Sequence, residues 1–267
     1  MPDRILITGA SSGIGEAFAR LYASRGSNLV LAARRESRLD SLASELRSHH
    51  QVEVDPLVID LSKPGAPREV FAWLQEKEIS VDVLINNAGY GVPGYFVNND
   101  WSTHMASNQL MVTSVAELTH LLLPNMIKNS HGAIMNIASI AGLIPASAGH
   151  SLYGAMKAWM IRFSESLHDE VADFGVKVVA VCPGFTYSEF HDVTGTRSNV
   201  NKLPRIFWMS AQDVALQSLR ALEKNEVIFV PGRFNKFLVL VNKLLPTGVA
   251  RELIKRNARL ARNNEGA

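Results

Sequence analysis

The sequence predicts an α/β chain in which a parallel β-sheet is covered by helices on both faces. Short runs of Val, Ile and Leu alternate along the chain with longer amphipathic stretches. Those runs are apolar throughout, as expected of strands that are buried on both faces. The first run leads directly into the Gly/Ser-rich turn "TGASSGIG" at residues 8–15 and then into a helical pattern. Repeated strand–helix units of this kind wind into a Rossmann-type, doubly wound sheet.

About seven strands are expected, at residues 4–8, 28–33, 52–59, 81–86, 132–138, 176–182 and 227–230. Helical periodicity predicts helices near residues 13–26, 36–48, 65–79, 100–128, 151–174 and 210–224. No repeat or Pro/Gly/Ser-rich linker interrupts this alternation. We therefore expect one dinucleotide-binding and catalytic domain over residues 1–232, with a helical C-terminal extension of the same domain over residues 233–267.

Composition restricts the possible functions. The 267 residues are 47% hydrophobic and 19% charged, with a formal net charge of +2, which is too small to indicate a nucleic-acid partner. The chain has one cysteine, Cys182, so no disulfide framework exists and a reducing, cytoplasmic compartment is expected. The first strand begins at residue 4, which leaves no room for a signal peptide. No uninterrupted apolar run reaches the length of a membrane-spanning helix.

The glycine-rich turn contains Gly9, Gly13 and Gly15, where the first strand passes into the first helix. One glycine permits the tight turn, one lets backbone N–H groups approach a pyrophosphate, and one lets the helix pack on the strand. The positive end of the helix dipole then faces the anion. The spacing is G-x-x-x-G-x-G instead of the commoner G-x-G-x-x-G, and by itself it also fits a turn that binds no ligand.

Four motifs occur in a fixed order: "TGASSGIG", "NNAG" at 86–89, "YGAMK" at 153–157 and "PG" at 183–184. In their order and intervals they resemble the short-chain dehydrogenase/reductase family, from residue 4 to about residue 232. The resemblance implies a Rossmann-type sheet, a nicotinamide cofactor, and hydride transfer between a carbonyl and an alcohol.

Tyr153 and Lys157 are four residues apart and therefore share one face of a helix. A tyrosine with a pKa near 10 is a poor acid or base at neutral pH, but a neighbouring ammonium favours its phenolate. The pair can thus exchange the alcohol proton. The resemblance implies that Ser139 binds the carbonyl oxygen and orients Tyr153, and that Asn108 holds a water linked to Lys157. Ser139 follows Ala138 where the family often has a second serine, and it lies one residue further from Tyr153 than is usual.

The second strand ends in "LVLAARRE", which bears on the choice of cofactor. An acidic side chain at this position would bind a ribose 2′-hydroxyl and repel a 2′-phosphate. The position is occupied by Ala33 and is followed by Arg34 and Arg35, whose guanidinium groups suit a phosphate. NADP(H) is therefore favoured over NAD(H).

The resemblance places further cofactor contacts along the chain. It implies that Asp60 accepts a hydrogen bond from the adenine amino group, that Asn87 lies near the ribose, and that Thr186 closes over the nicotinamide carboxamide. The other cofactor contacts that we expect, besides the three glycines and two arginines, are Ser11, Ser12, Ile14, Leu61, Ala88, Gly89, Tyr153, Lys157, Pro183 and Gly184.

Residues 185–209, here called the substrate segment, are predicted to be a long irregular loop rich in aromatic side chains. They favour an apolar carbonyl or alcohol substrate, such as a steroid, a retinoid-like compound or a fatty acyl compound. The eight histidines show no metal-ligand spacing, so no metal site is expected.

Two other functions stay open. An extended nucleotide-sugar epimerase or dehydratase also uses Tyr-x-x-x-Lys, but the short C-terminal third and the glycine spacing argue against it. A non-catalytic cofactor-binding sensor or scaffold would typically lack the tyrosine or the lysine. By resemblance, helices 100–128 and 151–174 pair across the interface of a homodimer or homotetramer.

The C-terminal extension has eight basic side chains over residues 233–262 against one acid, Glu252. Apolar residues follow helical spacing at Phe234, Phe237, Leu238, Val241, Leu244 and Leu245. Two interpretations follow. The helix packs over the substrate pocket with a solvated basic face, or it also rests on an anionic membrane surface as a peripheral contact.

Overall fold

The computed structural model describes residues 3–92, 94–146, 148–149, 151–189 and 204–262, with side chains described as far as residue 254. Its strands are β1 (Arg4–Thr8), β2 (Asn28–Ala33), β3 (Val54–Val58), β4 (Val83–Asn86), β5 (Gly132–Ile137), β6 (Val176–Val181), β7 (Phe185–Tyr187), β8 (Trp208–Ser210) and β9 (Ile228–Phe229). Seven of them form one parallel sheet in the order β3-β2-β1-β4-β5-β6-β9. The predicted Rossmann-type sheet is confirmed, and each predicted strand is present with ends shortened by at most two residues.

The helices cover both faces of the sheet. They are α1 (Gly13–Ala23), α2 (Glu36–His50), α3 (Ala66–Glu76), α4 (Trp101–Asn108), α5 (Ser114–Lys128), α6 (Ser151–Val171), α7 (Ala211–Glu223), α8 (Arg233–Leu244) and α9 (Thr247–Arg262). Buried side chains of α1, α2 and α7 form a core on one face. Those of α3, α5 and α6 form a second core on the other. The apolar strands separate these two cores, which explains why their sequences do not alternate.

The helix predicted over residues 100–128 is interrupted by a π turn at Gln109–Thr113. The Ser114 hydroxyl donates to the Leu61 carbonyl at 2.7 Å, and Gln109 Nε2 donates to Ser114 Oγ at 3.3 Å. By length and composition alone, Trp101–Lys128 could cross a membrane, contrary to the sequence expectation. A helix that packs in a protein core also passes this test, and α5 buries Leu118, Leu122 and Met126.

The substrate segment has a short strand at each end, β7 and β8, and these two strands pair as a small parallel sheet. The Tyr187 and Trp208 rings stack at 4.7 Å, and the Phe185 and Trp208 rings lie 5.6 Å apart. These aromatic side chains therefore stabilise the segment by packing on one another. Phe190 and the rest of 190–203 lie outside the described residues.

The C-terminal extension packs against the Pro183–Gly184 turn through α8. Asn235 is buried, and a Cβ atom added to Gly184 would come within 2.4 Å of its side chain. The rings of Phe207 and Phe234 meet edge to face at 4.7 Å. Helix α8 is thus attached both to this turn and to the substrate segment.

Candidate active site

The glycine turn after β1 forms a closely packed cradle at the start of α1. Gly9 has φ +67°, a conformation that side-chain-bearing residues rarely adopt. A Cβ atom on Gly15 would lie 2.3 Å from the Gly9 oxygen and 2.6 Å from Asn87 Nδ2. Helix α1 begins at Gly13, so its first N–H groups face the turn. This arrangement fits a dinucleotide pyrophosphate.

The "NNAG" turn after β4 is held against the glycine turn by hydrogen bonds. Thr8 Oγ1 accepts from the backbone N–H groups of Asn87 and Ala88 at 2.9 and 3.0 Å. Asn87 Nδ2 donates to the Thr8 and Gly9 carbonyls at 2.9 and 3.2 Å. The Asn87 amide therefore braces the cradle, and its predicted proximity to the ribose stays a prediction.

Ser139, Tyr153 and Lys157 come together where β5 meets α6, as the sequence predicts. Ser139 and Tyr153 share a side-chain hydrogen bond. Lys157 Nζ lies 5.7 Å from the centre of the Tyr153 ring and donates to the Ile137 carbonyl at 2.6 Å. Ser139 also caps a short 3₁₀ turn by accepting from the Ala141 N–H at 3.1 Å. Their placement fits proton exchange with an alcohol or carbonyl.

Burial shifts the two titratable groups of this cluster in opposite directions. It raises the pKa of Tyr153 to about 12, although the hydrogen bond with Ser139 opposes the change. Burial lowers the pKa of Lys157 to about 8, because a charged ammonium is disfavoured away from water. The neighbouring thiol of Cys182 is also buried, which raises its pKa to about 12 and fits the predicted core position.

Asn108 is not brought to this cluster. It is the exposed last residue of α4, and the π turn that follows directs Met111 inward instead. A Cβ atom on Gly89 would lie 3.1 Å from Met111 Sδ and 3.7 Å from Lys157 Nζ. The predicted water-holding role of the Asn108 side chain is therefore not supported. Helical periodicity could not reveal this, because a π turn changes which residues face inward.

Arg34, Asp60 and Tyr90 lie near one another on the side of the cradle where the adenine is predicted to bind, and Arg34 interacts electrostatically with the other two. Partial burial of Asp60 is outweighed by hydrogen bonds from the Ser62 N–H and hydroxyl, which hold the pKa of this carboxyl below its usual value. Asp60 is thus an ionised acceptor next to the predicted adenine position. Leu61 is buried, which limits its predicted contact with the cofactor to main-chain atoms.

Arg35 lies across the outer side of the glycine turn. Its Nη2 donates to Ser11 Oγ at 3.0 Å and to Ser12 Oγ at 2.7 Å. Arg38 lies in the first turn of α2, three residues after Arg35. The sequence interpretation missed Arg38, yet both arginines form ion pairs with Glu189. The spacing of Arg35 and Arg38 could have indicated the pair, whereas Glu189 is more than 150 residues away in sequence.

Thr186 is placed differently from the expectation. Its side chain is buried in β7, and its hydroxyl donates to the Gly184 carbonyl at 3.2 Å. Ser188 instead lies against the glycine turn, where a Cβ atom on Gly13 would come within 2.9 Å of Ser188 Cβ. Pro183 sits beside the catalytic cluster, because its carbonyl accepts from the Ile140 N–H at 3.0 Å. Ser188 is therefore the residue of this segment whose side chain lies against the glycine turn, while its hydroxyl donates to the Thr186 carbonyl at 3.4 Å.

A small cleft, partly open to solvent, lies beside Tyr153. Its apolar lining comes from Val92, Phe96, Leu152 and Met156, and its polar side chains are Asn99, His104 and Ser151. The His104 ring stacks on Phe96 at 4.6 Å. In the part of the chain that the structure describes, no three His, Cys, Asp or Glu residues cluster as metal ligands.

A dinucleotide cradle and a Ser–Tyr–Lys cluster thus lie together at the carboxyl edge of a Rossmann-type sheet. This combination defines a nicotinamide-dependent oxidoreductase. The family model for short chain dehydrogenase matches residues 3–198. The chain belongs to the short-chain dehydrogenase/reductase family.

Several relatives are similar over most of the chain. Sulfoacetaldehyde reductase 2 of Chromohalobacter salexigens is 38% identical over 195 residues, which cover 71% of this chain and 75% of that protein. A short-chain dehydrogenase from Sphingobium yanoikuyae, solved in complex with NADPH, is 32% identical with a TM-score of 0.80, covering 100% of this chain and 97% of that one. The bulky-bulky ketone specific alcohol dehydrogenase from Comamonas testosteroni is 31% identical with a TM-score of 0.76, at the same coverage.

Proposed function

We propose that the protein is an NADP(H)-dependent oxidoreductase that interconverts a ketone or aldehyde and an alcohol on an apolar substrate. The observation that carries this proposal is the Ser139–Tyr153–Lys157 cluster beside an apolar cleft. When bound, NADP(H) supplies or accepts the hydride. The residues of the chain bind the two reactants, position the carbonyl and move the proton.

The proton step is assigned to the side chains of the cluster. Ser139 Oγ hydrogen-bonds the substrate oxygen next to Tyr153. In reduction, the Tyr153 hydroxyl donates its proton to that oxygen, and in oxidation the phenolate accepts it. The Lys157 ammonium, held by the Ile137 carbonyl, reduces the cost of the phenolate.

Three features support NADP(H) over NAD(H). The second strand ends at Ala33 without a carboxylate that would repel a 2′-phosphate. Arg34, Arg35 and Arg38 supply guanidinium groups near the glycine turn and the adenine side. The Sphingobium yanoikuyae relative was solved with NADPH.

The lining of the cleft supports an apolar substrate. Among the described residues that line it, none is lysine or arginine, so a sulfonated substrate such as that of the Chromohalobacter reductases has no obvious counter-charge there. The ketones named for the Comamonas testosteroni relative are bulky, in keeping with this proposal. Steroid, retinoid-like and fatty acyl carbonyls remain the candidates.

The experiment is a panel of carbonyl and alcohol substrates, each assayed with NADP(H) and NAD(H) by nicotinamide absorbance. Turnover of bulky apolar ketones with NADPH supports the proposal. Preference for sulfoacetaldehyde would overturn the substrate class. Tight NADPH binding with no turnover across the panel would favour the sensor or scaffold function instead.

We also propose the cellular setting that the sequence suggests, namely a homodimer or homotetramer in the cytoplasm. Trp101 and Met105 are exposed one helical turn apart on α4, which favours a contact with a second copy. Helix α8 exposes Phe237, Leu240 and Leu244, and this apolar face favours the peripheral membrane contact.

A further inference from the structure

Glu189, the last described residue before residue 204, bridges Arg35, which immediately precedes α2, and Arg38 in the first turn of that helix. Its Oε2 lies 2.7 Å from Arg35 Nη1, and its Oε1 lies 2.5 Å from Arg38 Nη1. These two hydrogen bonds hold the pKa of Glu189 below its usual value, so the carboxylate is ionised at neutral pH. Each oxygen of one carboxylate therefore neutralises a different guanidinium group.

The bridge lies at the edge of the dinucleotide cradle. The Nη2 atom of Arg35 is hydrogen-bonded to Ser11 and Ser12 of the glycine turn. The neighbouring Ser188 contacts the same turn at Gly13. The carboxylate is thus placed where an anion next to the glycine turn would meet Arg35 and Arg38.

Carboxylate and phosphate groups compete for the same partner. Both present oxygens that match the fork of a guanidinium group, and a guanidinium group already paired with one is less available to the other. NAD(H) lacks the 2′-phosphate and has no group that would need to displace Glu189. The competition therefore affects the two cofactors unequally.

We propose that Glu189 is a specificity-determining residue that competes with the 2′-phosphate of NADP(H) for Arg35 and Arg38. The proposal rests on the NADP(H) binding proposed above and deepens it. NADP(H) binds when Glu189 releases the arginine pair. The affinity of the protein for NADP(H) is therefore lower than it would be if Arg35 and Arg38 were not paired with a carboxylate. By linkage, NADP(H) also weakens the attachment of Glu189 to α2.

The test is direct binding of four ligands, without turnover, to the wild type and to Glu189→Gln. Glutamine keeps the shape of the side chain and removes its charge. We expect NADPH and 2′,5′-ADP to bind about three- to tenfold more tightly to the variant, a modest factor because all three side chains are partly exposed. NADH and 5′-AMP should change less than twofold. Equal shifts for NADPH and NADH, or no shift for NADPH, would overturn the proposal.

Glu223→Gln is the matched control, because Glu223 forms a similar surface ion pair with Arg25 at 2.7 Å. It should leave all four affinities unchanged. Arg35→Ala separates this inference from the proposed function. If Arg35→Ala weakens NADPH binding but Glu189→Gln does not strengthen it, NADP(H) recognition stands and the competition is refuted. If Arg35→Ala has no effect on NADPH binding, this part of the proposed phosphate site is itself wrong.

Discussion

Lys157 Nζ donates a 2.6 Å hydrogen bond to the carbonyl oxygen of Ile137, the last residue of β5. Only 4% of the Lys157 residue is exposed, so this carbonyl stabilises a charge that burial disfavours. The bond fixes the ammonium beneath the Tyr153 ring. The carboxyl end of β5 thereby positions the Lys157 ammonium on α6. Proton exchange at Tyr153 therefore depends on how α6 packs against β5.

Tyr153→Phe should bind NADPH within twofold of the wild type and lose at least about 10²-fold in kcat. The change removes the transferable proton while keeping the ring in place. Fluorescence titration gives the affinity and initial rates give kcat. Tyr22→Phe is the control for the loss of a hydroxyl and should retain activity, since Tyr22 is a core residue on the buried face of α1. Wild-type kcat in Tyr153→Phe would refute the assignment.

Lys157→Met should change the pH dependence of stability. Burial lowers the Lys157 pKa to about 8, so between about pH 8 and pH 10 the unfolded chain holds more protons than the folded one. In this window the wild type gains stability from Lys157 as pH rises, and the methionine variant does not. The free energy of unfolding of the variant minus that of the wild type should therefore fall by about 1.4 kcal/mol per pH unit. Denaturant titrations measure this difference, and a flat difference would contradict it.

The double variant Ala33→Asp/Arg34→Ala should shift the cofactor preference towards NAD(H). The new carboxylate can bind the ribose hydroxyls and repels a 2′-phosphate, while one guanidinium partner is lost. NADPH binding should weaken about ten- to hundredfold. Titration with both cofactors measures the change. Unchanged NADPH affinity would show that Arg35 and Arg38 alone bind the phosphate.

Asn108→Ala should leave kcat within twofold of the wild type. The side chain is exposed at the end of α4, whereas the buried side chain near Gly89 is that of Met111. Initial rates at saturating cofactor test this, with circular dichroism to confirm the fold. A tenfold or larger loss of kcat in a folded Asn108→Ala protein would restore the role inferred from the family resemblance.

The C-terminal extension should bind anionic vesicles reversibly and in a salt-sensitive way. Helix α8 leaves 58% of Phe237 and 76% of Leu244 exposed, and it carries Lys236 and Lys243. Each basic side chain near an anionic surface contributes about 1 kcal/mol, which salt screens.

Co-sedimentation with anionic and neutral vesicles at low and high salt measures this binding. Phe237→Ser/Leu244→Ser should abolish it. Val97→Ser is a control at an apolar position away from α8 that is more exposed than either of these residues. Negligible binding of the wild type to both kinds of vesicle would refute the membrane contact and leave α8 as a helix that packs on the Pro183–Gly184 turn and the substrate segment.

The sequence by itself determined the sheet, its seven strands and the Tyr153–Lys157 pair. Apolar strand runs, a glycine turn and a four-residue helical spacing are local sequence patterns. Backbone sterics and the burial of apolar side chains convert such patterns into strands, turns and helix faces without reference to distant residues. The cradle could be predicted for the same reason, because Gly9 and Gly15 are required by the path of the backbone itself.

Only the tertiary structure decided which side chains meet across the site. The π turn after Asn108 turned Met111 inward, and the burial of Thr186 in β7 left Ser188 at the glycine turn. Arg35 and Glu189 are 154 residues apart, so no local pattern relates them. Such contacts depend on how separate elements pack, and packing is a property of the whole fold.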